Sequence, residues 1–139
     1  MAVHYKAPVI SSIFVSYNGS TTDGTNTEIF VDGVNLLRTL VATDTNTSFL
    51  LFITGRQTGG ISGTVADSAT FKVEGEVKNI GDVITINNNT TITVSQITPT
   101  ENWEVQVIAD DVNDSLRINV IGEINKNISW KGELRVINL

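Results

Sequence analysis

The stretch WEVQVIADDVNDSLRINVIGEINKNISWKGELRV, Trp103 to Val136, decides the fold class. In its first part Trp103, Val105, Val107 and Ala109 share one phase of a period of two, and Glu104 and Gln106 hold the other. After an Asp/Asn-rich turn, Leu116, Ile118 and Val120 alternate with Arg117 and Asn119. After a second turn, Ile128, Trp130, Leu134 and Val136 alternate with Ser129, Lys131, Glu133 and Arg135. Successive side chains of a strand point to opposite faces, so this pattern marks strands with one buried and one wet face.

Working outward, TFKVEGEVK repeats the alternation, with Phe71, Val73 and Val77 inward and Lys72, Glu74, Glu76 and Lys78 outward. Gly75 stands on the inward phase, where a neighbour packs close. Between such runs lie clusters of Gly, Asn, Asp and Thr: YNGSTTDGTNT, ATDTNTS, RQTGGISGTVADS, NIGD, INNNT, TPTEN and DDVNDS. These residue types tolerate positive φ or bond their own backbone, so they read as turns. Strands are expected around Ile13–Tyr17, Thr27–Val31, Leu36–Ala42, Ser48–Thr54, Thr70–Lys78, Asp82–Ile86, Thr90–Ile97, Trp103–Ala109, Ser115–Gly122 and Ile128–Ile137. The predicted class is all-β: an antiparallel, jelly-roll-like β-sandwich of about eight to ten strands with a short N-terminal arm. Residues 1–20 form the arm and first strand, and residues 21–139 a single sandwich domain.

One segment breaks the alternation. SFLLFIT, Ser48 to Thr54, is apolar in both phases, which a strand tolerates when both faces are covered. Phe49, Leu51 and Ile53 fill the core in this reading, while Leu50 and Phe52 require a second cover. A symmetric oligomer supplies it on every subunit at once.

Composition narrows the function. The chain has 139 residues, 40% hydrophobic and only 17% charged, with a formal net charge of −6 from 15 acidic against 9 basic residues. That balance lacks the basic footprint of nucleic-acid binding, so no nucleic-acid partner is expected. There is no cysteine, hence no disulfide, thiolate metal site or thiol nucleophile. No apolar run has the length of a signal-peptide core or a membrane span, so synthesis in the cytosol with no membrane partner is expected. Six Asn-x-Ser/Thr sequons, at Asn18, Asn46, Asn88, Asn89, Asn113 and Asn127, are what an Asn- and Thr-rich chain produces by chance.

The order of TTDGTNTEI, TNTSFLLFITGRQTGG, ATFKVEGEVK and the opening stretch resembles a β-domain of tailed-bacteriophage and prophage virion structural proteins, often at the C-terminal end of tail-fibre-like chains. The matching positions are Asp23 and Gly24, Arg56, Val73 and Gly75, Asp110 and Asn113, Val120 with Gly122, and Ile128 with Trp130, and the likeness spans Thr21 to Ile137. Lys131-Gly132 departs from the pattern, and no large shaft precedes the domain. The resemblance implies a virion location and a threefold closure, and joined to the small size, the short arm and the doubly apolar SFLLFIT it points to a capsid-decorating or cement protein that assembles as a homotrimer on the major capsid protein. The alternative is a tail-fibre or receptor-binding module that recognises host-surface glycan, for which the Asn/Thr-rich surface and the loop RQTGGISG suit neutral hydrogen bonding to sugar hydroxyls.

Candidate chemistry is sparse. The only histidine, His4, lies in the arm, so a nucleophile–His–acid triad lacks its base. Glu74 with Glu76, or Glu101 with Glu104, offers the carboxylate pair of a glycoside hydrolase, but the first pair sits on a polar face with Lys72 and Lys78. No enzyme activity and no cofactor are expected. Asp110, Asp111, Asn113 and Asp114 offer calcium-type oxygen ligands in one turn, without the Gly and distal Glu of an EF-hand. TGGISG has the glycines of a phosphate loop but no following Lys-Ser/Thr. Trp103 and Trp130 are in phase with the core, which favours core packing over a sugar-stacking platform, and Trp130 is expected to anchor the core or a subunit interface with its N–H bonded to a neighbour. Leu50, Phe52, Arg56, Trp103, Trp130, Tyr5 and Pro8 are the expected interface or binding residues.

Overall fold

The computed structural model describes residues 11–138. Nine strands follow one another: β1 (Ser11–Thr21), β2 (Asn26–Val31), β3 (Thr39–Leu40), β4 (Thr45–Gly60), β5 (Ser68–Ile80), β6 (Val83–Gln96), β7 (Glu104–Asp110), β8 (Ser115–Ile121) and β9 (Lys126–Asn138), with a single 3₁₀ turn at Thr98–Thr100. Every strand pairing is antiparallel.

The strands form one continuous, strongly curled half-barrel sheet in place of two separate sheets. Its path runs from β8, flanked by β7 on one edge and by β2 and β3 on the other, through β1, β9, β4 and β5 to β6. The link between β2 and β1 is short, Tyr17 opposite Val31 and Asn18 opposite Phe30, and there the sheet folds over on itself. The two halves face each other across one core, the layering that the alternating pattern anticipates. Phe49, Leu51, Ile53, Phe71, Val73 and Leu134 come from one half and Val105, Val107, Leu116, Ile118 and Val120 from the other.

β9 is the spine. It pairs along its length with β1 on one side and β4 on the other, so Leu134 lies between Val15 and Leu51. Lys131-Gly132 does not interrupt it: Gly132 is needed because a Cβ there would stand 3.0 Å from Ile53 Cβ. Trp130 is fully buried, packs edge-on to Trp103 at 5.8 Å between centroids, and donates its indole N–H to Thr21 Oγ1 at 3.0 Å. Gly55, its neighbour on β4, is glycine because an added Cβ would lie 2.7 Å from the Trp130 ring.

Three expected elements differ. Leu36–Ala42 pairs only at Thr39–Leu40, because the chain first turns through positive φ at Asp32, Gly33 and Leu36. Asp82–Ile86 and Thr90–Ile97 are one strand, β6: the INNNT segment is taken up as a bulge opposite Gly75, where Glu74 pairs with Thr90 but Glu76 with Asn87. Arg56 to Gly60, expected in a loop, continues β4 through a register shift between Gln57 and Gly59. The tight hairpin before β6 uses Gly81 and Asp82, both at positive φ, as a two-residue turn of the primed kind requires.

Candidate functional site

The outward face of β1, β9, β4 and β5 is built by register alone. Phe14, Arg135, Leu50 and Glu74 lie side by side in one row, and Ser16, Glu133, Phe52 and Lys72 in the next. The phase expected within SFLLFIT holds: Phe49, Leu51 and Ile53 are buried, Leu50 is half-buried, and Phe52 is 49% exposed. Phe14, 64% exposed, joins them, with the Arg135 guanidinium 5.6 Å from its ring centroid. These side chains and Glu133 line a shallow trough of about 310 Å³. Phe14 was not singled out above, although a signal existed: it shares its phase with Ser12, Ser16, Asn18 and Ser20, the odd apolar residue on a polar stripe.

Of the other expected binding residues, Arg56 is exposed near the end of β4 opposite Ser129. Trp103 and Trp130 belong to the core, with Trp103 donating its N–H to Glu123 Oε2 at 3.3 Å. His4, Tyr5 and Pro8 lie outside the described residues.

The calcium-type turn is occupied by protein groups. Asp110 Oδ1 accepts the backbone N–H groups of Val112 and Asn113, and Oδ2 accepts from Asn113 Nδ2 at 2.8 Å and from Arg117 at 3.0 Å. Arg38 joins them by a bidentate pair with Glu28 and lies 3.7 Å from Asp110. Burial opposes ionisation of Asp110, but the hydrogen bonds from Asn113 and Arg117 outweigh it and hold its carboxyl below the usual range. Asp111 accepts the N–H of Ile84. Among the described residues no three His, Cys, Asp or Glu side chains converge as a metal site.

At the opposite end of the sheet, three loops meet on a buried lysine. Lys126, 4% exposed, pairs with Glu123 at 2.6 Å, donates to the Pro99 carbonyl and lies over the Trp103 ring. The hydrogen bond from Lys126, working against burial, lowers the pKa of Glu123. Gln57, also buried, donates to the carbonyls of Gly59 and Ser62, so the segment RQTGGISG is pinned from within.

A second depression, of about 380 Å³, opens where the free edges of β6 and β7 approach, with Glu101 and Glu104 on its rim. Glu74 and Glu76 stand instead on the outward face with Lys72 and Lys78. Among the described residues no helix is long and apolar enough to cross a membrane.

No family model matches the chain, and no curated protein matches it. Solved structures do match, three of them as follows. The likeness is to parts of phage tailspikes. The tailspike gp49 of Acinetobacter baumannii bacteriophage Fri1, described as a capsular polysaccharide depolymerase, is 12% identical over 96% of this chain and 19% of its own, with a TM-score of 0.47. The tailspike of Acinetobacter phage vB_ApiP_P1 is 10% identical over 94% of this chain and 22% of its own, at 0.45. That of Acinetobacter baumannii phage AM24 is 11% identical over 90% of this chain and 26% of its own, at 0.49. The chain thus spans between about a fifth and about a quarter of the length of each. Below a TM-score of 0.5 such a likeness fixes neither activity nor ligand.

Proposed function

We propose that this chain is a non-enzymatic structural module of a tailed-phage virion, carried in the tail as a fibre or receptor-binding part, and that it assembles as a homotrimer through the outward face of β1, β9 and β4. The observation that carries the reading is the exposure of Phe14 and Phe52 beside half-buried Leu50 on one face of a sheet whose other face is a complete core. Two rings exposed to this extent leave roughly 200 Å² of apolar surface in water, on the order of 5 kcal/mol per subunit if fully covered. Association itself costs at least about 4 kcal/mol, so the trough serves as the centre of a larger interface. The alternating Arg135, Glu133 and Lys131 along β9 supply charges of both signs around it.

The tail is preferred to the shell because the motif order resembles domains that close tail-fibre-like chains. A capsid-decorating trimer would use the same face, so location is the discriminating measurement. Immunogold electron microscopy of virions with an antibody to this chain should label the tail; label spread over the shell would overturn the tail assignment. Sedimentation equilibrium at micromolar concentration should give three chain masses, and a monomer there would remove the trimer.

A further inference from the structure

We propose that the cleft between β6 and β7 is a binding site for an uncharged saccharide, a neutral hexose or N-acetylhexosamine unit of a surface glycan. The inference rests on the tail-module reading for where such a sugar is met, and on the cleft itself for its chemistry. One wall carries Thr91, Thr93 and Gln96, and the other Glu101, Glu104 and Gln106. At about 380 Å³ the space falls in the range of small-ligand sites, roughly 300–1,000 Å³.

The walls of the cleft are polar and mostly exposed. Among the described residues, no side-chain hydrogen bond or ion pair engages Thr91, Thr93, Gln96, Glu101 or Glu104, and Gln106 meets only Asn26, at 3.5 Å. Thr54 and Thr70, on the neighbouring strands β4 and β5, bond each other instead. Two hydroxyls, two amides and two carboxylates thus converge with their capacity unspent. A carboxylate is acceptor-only, hydroxyls and amides are both donor and acceptor, and a sugar ring presents several O–H groups that satisfy all three.

Charge sets the class. No cation lines the cleft, and Lys126, close by over the Trp103 ring, is committed to Glu123 and the Pro99 carbonyl. Two carboxylates without a counter-charge disfavour uronic, sialic or phosphorylated sugars. The floor is Phe71, Trp103 and Val105, each almost fully buried. It therefore offers little apolar surface to ring C–H groups and no open aromatic face for stacking, so hydrogen bonds to hydroxyls must carry recognition. The two walls are also free sheet edges, which makes an extended peptide strand the rival occupant.

The test titrates the ¹⁵N-labelled chain with maltotriose, triacetylchitotriose and a hyaluronan hexasaccharide. At least one neutral trisaccharide should bind with a Kd of about 1 mM, shifting the amides of Thr91, Thr93, Gln96, Glu104 and Gln106, while hyaluronan leaves them unmoved. Thr93→Arg, at an exposed position, should weaken binding at least about tenfold with an unchanged melting temperature, and Glu104→Gln should weaken it by a smaller factor. Silence of both neutral sugars at about ten times that concentration, shifts confined to other loops, or equal binding of hyaluronan would each overturn the proposal. So would displacement of the sugar by an extended Thr/Val octapeptide with shifts along β6, which would assign the cleft to a strand. Tail labelling with no sugar binding defeats this inference alone, and sugar binding with shell labelling defeats the tail reading alone.

Discussion

Replacing Gly55 with alanine adds one methyl group where the Trp130 indole already sits. The new Cβ would lie 2.7 Å from Cζ3, 2.9 Å from Cε3 and 3.0 Å from Cη2 of that ring. The indole has nowhere to go: it is fully buried, packed against Trp103 and Phe71, and tethered by its N–H to Thr21 Oγ1. Overpacking of a closed core costs about 1–3 kcal/mol. Any tilt that relieves it stretches the bond to Thr21 and leaves a buried donor unsatisfied, about 1–3 kcal/mol more. Restricting the unfolded chain returns about 0.4–1 kcal/mol. The net expectation for Gly55→Ala is a loss of about 1–5 kcal/mol, or roughly 4–20 °C in Tm at about 4 °C per kcal/mol for a chain of this size. Urea unfolding followed by indole fluorescence reads it directly, with Gly24→Ala as control, since its nearest new neighbour would be 3.9 Å away. In a Trp130→Leu background the same alanine should cost under about 1 kcal/mol, because the clash partner is gone. A Gly55→Ala protein within about 0.5 kcal/mol of the parent, or an undiminished cost beside Leu at 130, would refute the packing argument.

Phe52→Asp should leave Tm within a few degrees, roughly 3 °C, yet abolish association in sedimentation, whereas Phe49→Asp buries an unpaired charge and should prevent folding; equal behaviour of the two would mean that the faces are misassigned. Acid should destabilise the chain through Asp110 and Glu123, both depressed in the folded state. Their contribution is complete above the unfolded values of about 3.9 and 4.3 and is lost as pH falls through the lower folded values. Tm should accordingly be flat near neutrality and drop below about pH 4, with a shallower drop in Asp110→Asn/Glu123→Gln; a drop centred near pH 6.5 would point to another group. Leu36 holds a φ of 67° while 63% exposed, so Leu36→Asn, at home in that region, should gain roughly 0.5–1 kcal/mol in a thermal melt. A loss there would show that the leucine is covered by a partner.

Which face each side chain takes was legible in the sequence, because alternation is a local property of an extended backbone. Leu116, Ile118, Val120, Trp130 and Leu134 are core by phase alone, and the same counting separates Phe49, Leu51 and Ile53 from Leu50 and Phe52. Turn chemistry placed most boundaries for the same local reason, and it misled at INNNT and at Arg56–Gly60, where pairing with β5 and β9 draws turn-forming residues into strands. Which strands become neighbours was beyond any such reading. That β9 runs between β1 and β4 brings Phe14 beside Arg135 and Leu50, more than a hundred and more than thirty residues away from it in the chain, and makes one trough of them. The burial of Lys126 on Glu123 and Trp103, and the facing edges of β6 and β7, come likewise from how the curled sheet closes. Local backbone geometry sets a side chain's direction, whereas its company is chosen by long-range pairings whose free energy is shared among all the strands that meet there.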